Sequence, residues 1–388
     1  MNLKSRATLL ATCALISGCA VPELENLARL SRTAVLFDEA TIVQNFSNMR
    51  ASFHSVDMTT PPSVSALPKG QRLSFKPGFD AWRAARDTTA IVVLRDGQIV
   101  FEEYYLGTSQ DDHRISWSLA KSFLSAVFGV LIARGDIQSI DDQVTLYVPE
   151  LVGSAYEGAS IKNVLQMSSG VAFNENYESY FSDINRMGRV LATGGSMDEF
   201  AVGVDRRSTQ PGDEWRYVSI DTHVLSMVLR NATSRPLPAL MSEYILQPLG
   251  VGPGAYYLTD SLGVAFALGG LNLTTRDYAR FGELKRLNGT FQGTRIVPAD
   301  WVAESTEPSA NTPQGAFQYG YQWWMPPNAK QGEFFAMGVY GQFIYVDRPN
   351  SVVIAVNAAD KDFLMPSVLE GNIAAFRAIS DNARRSRP

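Results

Sequence analysis

Two hairpin signatures near opposite ends of the chain, with helical sequence between them, constrain the fold more than any other feature. Ala90-Ile91-Val92-Val93-Leu94 and Ile99-Val100-Phe101 flank Asp96-Gly97. A two-residue turn that matches strand twist needs left-handed backbone at both positions, and Asp-Gly tolerates it, so a tight hairpin is predicted. Far downstream, Gln342-Phe343-Ile344-Tyr345-Val346 and Ser351-Val352-Val353-Ile354-Ala355-Val356 flank the turn sequence Asp347-Arg348-Pro349-Asn350. Between the hairpins, Leu124, Val127, Phe128, Leu131 and Ile132 recur at helical spacing from Ser118 to Arg134, and Gly135 stands where a C-terminal cap belongs. Residues 136–265 read mostly as helical patches joined by loops, for example His223 to Asn231, and a last helix is predicted from about Pro366 to Arg384. Strands at both ends with helices between them imply an α+β fold in which the two hairpins share one antiparallel sheet.

The beginning of the chain reads differently. Lys4 and Arg6 precede an apolar run, Ala7 to Ile16, that ends in Ser17-Gly18-Cys19. A positive start, roughly ten apolar residues and a small-residue cut site make a secretory signal; a bilayer span takes about 20 residues. Ser17-Gly18-Cys19 resembles the lipobox of bacterial lipoproteins, which implies that residues 1–18 are removed and that Cys19 is lipidated. Ala20 stands where such proteins carry an aspartate when held in the inner membrane. The expectation is therefore an exported, lipid-anchored protein on the periplasmic face of the outer membrane. Cys13 and Cys19 are the only cysteines, so the mature domain is expected to lack disulfides and free thiols. Residues 19–85 read as an arm and linker, with Thr59-Thr60-Pro61-Pro62-Ser63 to Pro68-Lys69-Gly70 as a turn-rich, surface-hugging stretch. Organised structure is expected from near Thr88, in a domain of residues 86–388.

A net charge of −5 and a pI near 5.4 give no reason to expect nucleic acid as a partner, and the basic end at Arg384, Arg385 and Arg387 reads as a solvated tail. Three histidines and no thiol pair make a metal site unexpected, and no cofactor motif is present. His113, in a polar loop, reads as a surface residue and His223 as helix packing. There is no Gly-x-Ser-x-Gly elbow and no P-loop.

What remains is Ser118-Leu119-Ala120-Lys121. With 34 serines and eight lysines, about 0.7 Ser-x-x-Lys matches arise by chance. Position adds weight: Ser118 opens the predicted helix and Lys121 lies one turn on, on the same face. Helix N-termini stabilise developing anionic charge, and burial would favour a neutral, basic Lys121. A serine cap beside a solvated lysine stays equally open on these residues alone.

Further segments point one way. Pro211-Gly212 followed by Tyr217-Val218-Ser219 resembles the Pro-Gly…Tyr-x-Asn segment of the serine β-lactamase and DD-peptidase superfamily. Leu165-Gln166-Met167-Ser168-Ser169-Gly170, Gly269-Gly270-Leu271, Arg276 to Gly282 and Gly320-Tyr321-Gln322-Trp323-Trp324 are similar to other motifs of that superfamily, in unbroken order over about residues 86 to 380. Tyr-x-Ser followed by Asp221-Thr222, and Gly338-Val339-Tyr340-Gly341-Gln342, resemble the branch of 6-aminohexanoate-dimer hydrolase and promiscuous esterases. The third superfamily motif, Lys-Thr-Gly or His-x-Gly, aligns with Ala336-Met337-Gly338, so a cation that would hold a β-lactam carboxylate is missing.

The resemblance implies a serine hydrolase acting on a small-molecule amide or ester. In it Ser118 is the nucleophile, Lys121 and Tyr217 move the proton, and the N–H groups of Ser118 and Val339 form the oxyanion hole. It also implies substrate contacts from Ser219, through Lys121 or directly, from Gly338 by close approach, and from Tyr177 as a closing residue. Trp323 and Trp324 read as core or pocket wall. Two rivals remain: a β-lactamase or DD-carboxypeptidase, and a non-catalytic surface lipoprotein that binds without turnover.

Overall fold

The computed structural model describes residues 28–75 and 77–386; the expected signal segment and Cys19 lie outside them. Among the described residues a seven-stranded antiparallel sheet runs in the order Gln98–Tyr104, Thr88–Arg95, Val352–Ala358, Gln342–Asp347, Glu333–Gly338, Trp324–Met325, Gln318–Tyr319. The two hairpins therefore meet edge to edge, as the sequence predicted. Asp96 and Gly97 both adopt positive φ, 52° and 77°, so the first turn has the handedness that Asp-Gly tolerates.

Both faces of this sheet are covered. Val92, Leu94, Ile344, Val346 and Val353 pack in one core with Phe123, Phe128 and Phe281. Ile91, Val93, Tyr345 and Ile354 point the other way, against Ile373, Phe376 and Ile379 of the helix Pro366–Arg385. Burial on both sides explains why the strands read as continuous apolar runs rather than alternating ones. The helix Thr275–Arg286 packs against the sheet so closely that a Cβ on Gly282 would lie 2.5 Å from Val353 Cγ1.

The helix Leu119–Arg134 is buried without interruption from Leu119 to Gly129, and Gly135 closes it at φ 80°. A helix apolar all round belongs inside a domain. It runs through the middle of the protein, so whatever its first turn carries is set by the core. Of the helical patches between, the expected His223–Asn231 extends to Ser219–Thr233.

Organised structure does not wait for Thr88. The strand His54–Asp57 pairs with Tyr256–Thr259 in a second, four-stranded sheet that also holds Leu271–Leu273 and Arg114–Ile115. Leu36, Ile42, Phe46, Met49 and Phe53 are buried in the main core. Arg114 Nη1 donates to the Val43 carbonyl at 2.7 Å, tying this arm to the segment that leads into Ser118. The turn-rich stretch does hug the surface, with Ser65 N–H on the Gly250 carbonyl at 2.9 Å and Ile99 N–H on that of Pro68 at 2.8 Å. Residues 20–55 read as only mildly amphipathic and lead into a turn-rich stretch, which is why sequence pattern placed them outside the domain. Among the described residues no helix is long and apolar enough to cross a membrane.

If the arm belongs to the core, Phe46→Ala should lower unfolding free energy by about 3–5 kcal/mol, the usual cost of truncating a buried phenylalanine. Urea titration reads it; an unchanged midpoint would return the arm to the role of a linker.

Candidate active site

Ser118 occupies the N-cap of the central helix, with Trp117 before it at φ 42°, a conformation rare for a bulky side chain. The turn is pinned by the Ser116 N–H on the Leu271 carbonyl at 2.8 Å. One helical turn on, Lys121 is buried, and its Nζ lies 2.8 Å from Ser118 Oγ and 3.1 Å from the Leu268 carbonyl. A neutral amine suits both partners: it donates to Leu268 and offers its lone pair to the serine proton.

Tyr217 comes from the loop before the helix Ser219–Thr233. Its ring centroid is 5.2 Å from Lys121 Nζ, it lines the smaller of the cavities on Ser118, and it stacks on Trp324 at 5.5 Å. The three residues singled out in the sequence thus converge from two separate segments. Trp323 is core, and Trp324 is pocket wall.

Two cavities open on Ser118, one of about 570 Å³ and one of about 210 Å³, and Tyr177 and Val339 line both. Gly338 lines the smaller. A Cβ there would fall 2.5 Å from the Ser116 carbonyl and 3.0 Å from the Ser118 nitrogen. Its bareness therefore lets the strand Glu333–Gly338 press against the nucleophile turn, rather than serving only a substrate.

The Ser219 hydroxyl donates to Glu175 Oε2 at 3.2 Å and its N–H to Glu175 Oε1, so its polar groups serve a carboxylate rather than Lys121, while the residue lines the larger cavity where a substrate contact is expected of it. Glu175 escaped the sequence reading, although its neighbour Tyr177 did not. Asp221 was read only as part of a resemblance, yet it is fully buried and accepts from Tyr156 Oη at 2.7 Å and Ser169 Oγ at 2.9 Å. The pairing of Ser169 with Asp221 joins two segments that had each been noticed separately.

Burial dominates the electrostatics. It pushes the Lys121 amine down, against the opposing pull of Glu175 and Asp221. It pushes the Glu175 carboxyl up, against Lys121 and the Ser219 hydrogen bonds. The Asp221 carboxyl rises to about 8 for the same reason, despite its two hydrogen bonds. The Tyr217 phenol is raised by burial and then by Glu175. A phenolate steadied by a nearby ammonium, the arrangement that a tyrosine base requires, is thus disfavoured at rest; neutral Lys121 beside protonated Tyr217 is favoured.

The histidines stand apart. His113 Nε2 meets the Pro253 carbonyl at 2.9 Å, and buried His223 meets Asp198 at 2.7 Å; neither lines either cavity. His113 is partly exposed and His223 is helix packing, as expected. Among the described residues no group of three or more His, Cys, Asp or Glu could hold a metal ion.

A serine paired with a buried lysine at the head of a core helix, beside a strand of an antiparallel sheet, defines an enzyme of the serine hydrolase class. The chain belongs to the Beta-lactamase family, whose model matches residues 80–369. It is 31% identical to 6-aminohexanoate-dimer hydrolase of Paenarthrobacter ureafaciens over 286 residues, 70% of this chain and 72% of that one. It is 28% identical to Esterase EstB of Burkholderia gladioli over 145 residues, 34% of this chain and 36% of that one. Its fold matches that of a Bacillus anthracis protein provisionally described as a 6-aminohexanoate-dimer hydrolase, with a TM-score of 0.81 at 23% identity over 90% of this chain and 96% of that one.

If neutral Lys121 is the proton acceptor, kcat/KM should fall as acid protonates it. Because burial depresses its pKa, the plateau should extend well below 10.5, the ordinary lysine value. A pH–rate profile checks this: an acid limb centred near the free-lysine value would show an amine that burial does not depress, and a rate that does not fall in acid would remove Lys121 as the base.

Proposed function

We propose that the enzyme hydrolyses linear amide or ester bonds through an acyl-enzyme on Ser118. The observation that carries the reading is the 2.8 Å contact between Lys121 Nζ and Ser118 Oγ at the meeting of two cavities. Ser118 Oγ attacks the carbonyl carbon while its proton passes to Lys121. The N–H groups of Ser118 and Val339 hold the oxyanion; one such donor is typically worth about 10²–10³ in rate. On collapse the Tyr217 hydroxyl protonates the leaving amine or alcohol and regains a proton from Lys121. Water then enters and gives a proton to the same amine, which passes it to Ser118 Oγ as that oxygen leaves and the acid is released. Tyr177 is part of both cavity walls.

A substrate model is offered by the Paenarthrobacter relative's name, a dimer of a linear amino acid joined by an amide. The two cavities fit a chain running to either side of the carbonyl. A β-lactam fits less well. Ala336 stands where the superfamily motif has its cation, and among the described residues no lysine or arginine lines the smaller cavity. A lost charge-assisted hydrogen bond costs about 1.5–3 kcal/mol. Ser118, Lys121 and Tyr217 in mutual reach also argue against a scaffold that only binds.

Ser118→Ala should abolish turnover of a nitrophenyl ester and of an aminohexanoate dimer while leaving circular dichroism unchanged. Nitrocefin should be turned over far more slowly than the ester by the unmodified enzyme. Undiminished ester hydrolysis by the variant would take Ser118 out of the mechanism, and nitrocefin as the better substrate would favour a β-lactamase.

Export and lipidation at Cys19 complete the proposal, supported by Lys4, Arg6, the apolar run and Ser17-Gly18-Cys19. The periplasmic face of the outer membrane is the proposed address. Labelled palmitate should enter the expressed protein and fail to enter Cys19→Ala; equal labelling of both would place the lipid elsewhere or nowhere.

A further inference from the structure

The larger cavity is walled in part by a segment that the family match does not include. Thr33 and Phe37 precede residue 80, where that match begins, yet both line the space that opens on Ser118. The Phe37 ring stacks on Tyr340 at 5.1 Å with an interplanar angle of 13°, and its centroid is 6.1 Å from that of Trp117. It thus rests on the residue after Val339 and on the residue before Ser118. Fully buried Phe46 meets Phe37, Trp117 and Tyr340 edge-on, at 6.3, 5.6 and 5.3 Å, and so buttresses all three rings. Even so, Phe37 is 42% exposed. An aromatic face firmly held and still uncovered beside a nucleophile is built to meet something.

The rest of this cavity is mainly apolar: Ile184, Met187, Leu191 and Leu268 line it together with Phe37. Its charged lining groups have other occupations or stand in solvent. Arg189 Nη1 donates to the Tyr180 carbonyl at 2.7 Å, and its guanidinium lies 4.0 Å over the Tyr180 ring. Glu178 is exposed. A ligand portion seated here gains by shedding water and finds little to pair with a charge of its own.

We infer that Phe37 is a specificity-determining residue: the N-terminal arm supplies one wall of a subsite for the unbranched hydrocarbon chain of the substrate. The inference rests on Ser118 as the nucleophile, since that fixes which end of the chain carries the scissile carbonyl. Each methylene seated in such a site strengthens binding by about fourfold, so chain length is the natural probe.

The experiment compares p-nitrophenyl octanoate with p-nitrophenyl acetate. Phe37→Ala should lower the octanoate-to-acetate ratio of kcat/KM about tenfold, and Phe37→Leu should restore most of it. Thr33→Trp, which fills the same cavity from the next turn of the arm, should lower the ratio as well. A ratio that stays at its wild-type value in both Phe37→Ala and Thr33→Trp overturns the inference, whatever happens to the individual rates. Calorimetric titration of octanamide into Ser118→Ala reads the subsite without turnover. There Phe37→Ala should weaken binding about tenfold, and an unchanged affinity would overturn the subsite. An enzyme that cleaves neither ester but still loses octanamide affinity with Phe37→Ala would refute the hydrolytic reading and leave the subsite standing.

Discussion

A single hydrogen bond, between an amine and a hydroxyl at the head of a buried helix, sets the terms for the rest of this protein. Lys121 Nζ can serve as a base toward Ser118 Oγ only if water is kept from solvating its charged form. That requirement explains why the helix Leu119–Arg134 is apolar on every side and lies in the core rather than on the surface. It also explains the Leu268 carbonyl, which accepts from the amine and fixes its orientation without offering it a counter-charge. The fold can be read as an enclosure for that one contact.

Enclosing an amine has consequences for its neighbours. Glu175 and Asp221 face the same desolvation, and each finds hydrogen-bond donors that offset part of the cost: Ser219 for the first, Tyr156 and Ser169 for the second. Their influence on Lys121 runs opposite to that of burial, so the amine's proton affinity is a balance and not a consequence of burial alone. Tyr217 sits within this balance as a phenol. Its place against Trp324 and near Lys121 leaves it suited to hand a proton onward rather than to hold a negative charge.

Much of this was legible in the amino-acid sequence, for physical reasons that can be named. The turn at Asp96-Gly97, the glycine that ends the helix at Gly135 and the long apolar runs of the paired strands are local signals, written within a few residues of where they act. Ser118 and Lys121 share a turn of one helix, so their meeting follows from spacing. Tyr217 could be placed only through likeness to a family, because nothing local announces a partner nearly a hundred residues away. Glu175 shows the limit most clearly. Its partner Ser219 lies 44 positions downstream, and a carboxylate in a polar loop looks solvated until the loop is folded down. The arm's place in the core is hidden for a related reason: Phe37 in a turn and Phe46 at the end of the short helix Ile42–Phe46 are isolated aromatics, and only the rings of Trp117 and Tyr340 give them a purpose.

The buried helix that carries Ser118 has one more implication. Elements at the centre of a core open only when the whole domain opens, so their amides are the last to exchange with solvent. A nucleophile carried on a mobile loop can be lost by local fraying while the scaffold survives. Here the reactive serine caps a helix enclosed by the core, so catalytic competence and global foldedness should vanish together, as one cooperative event.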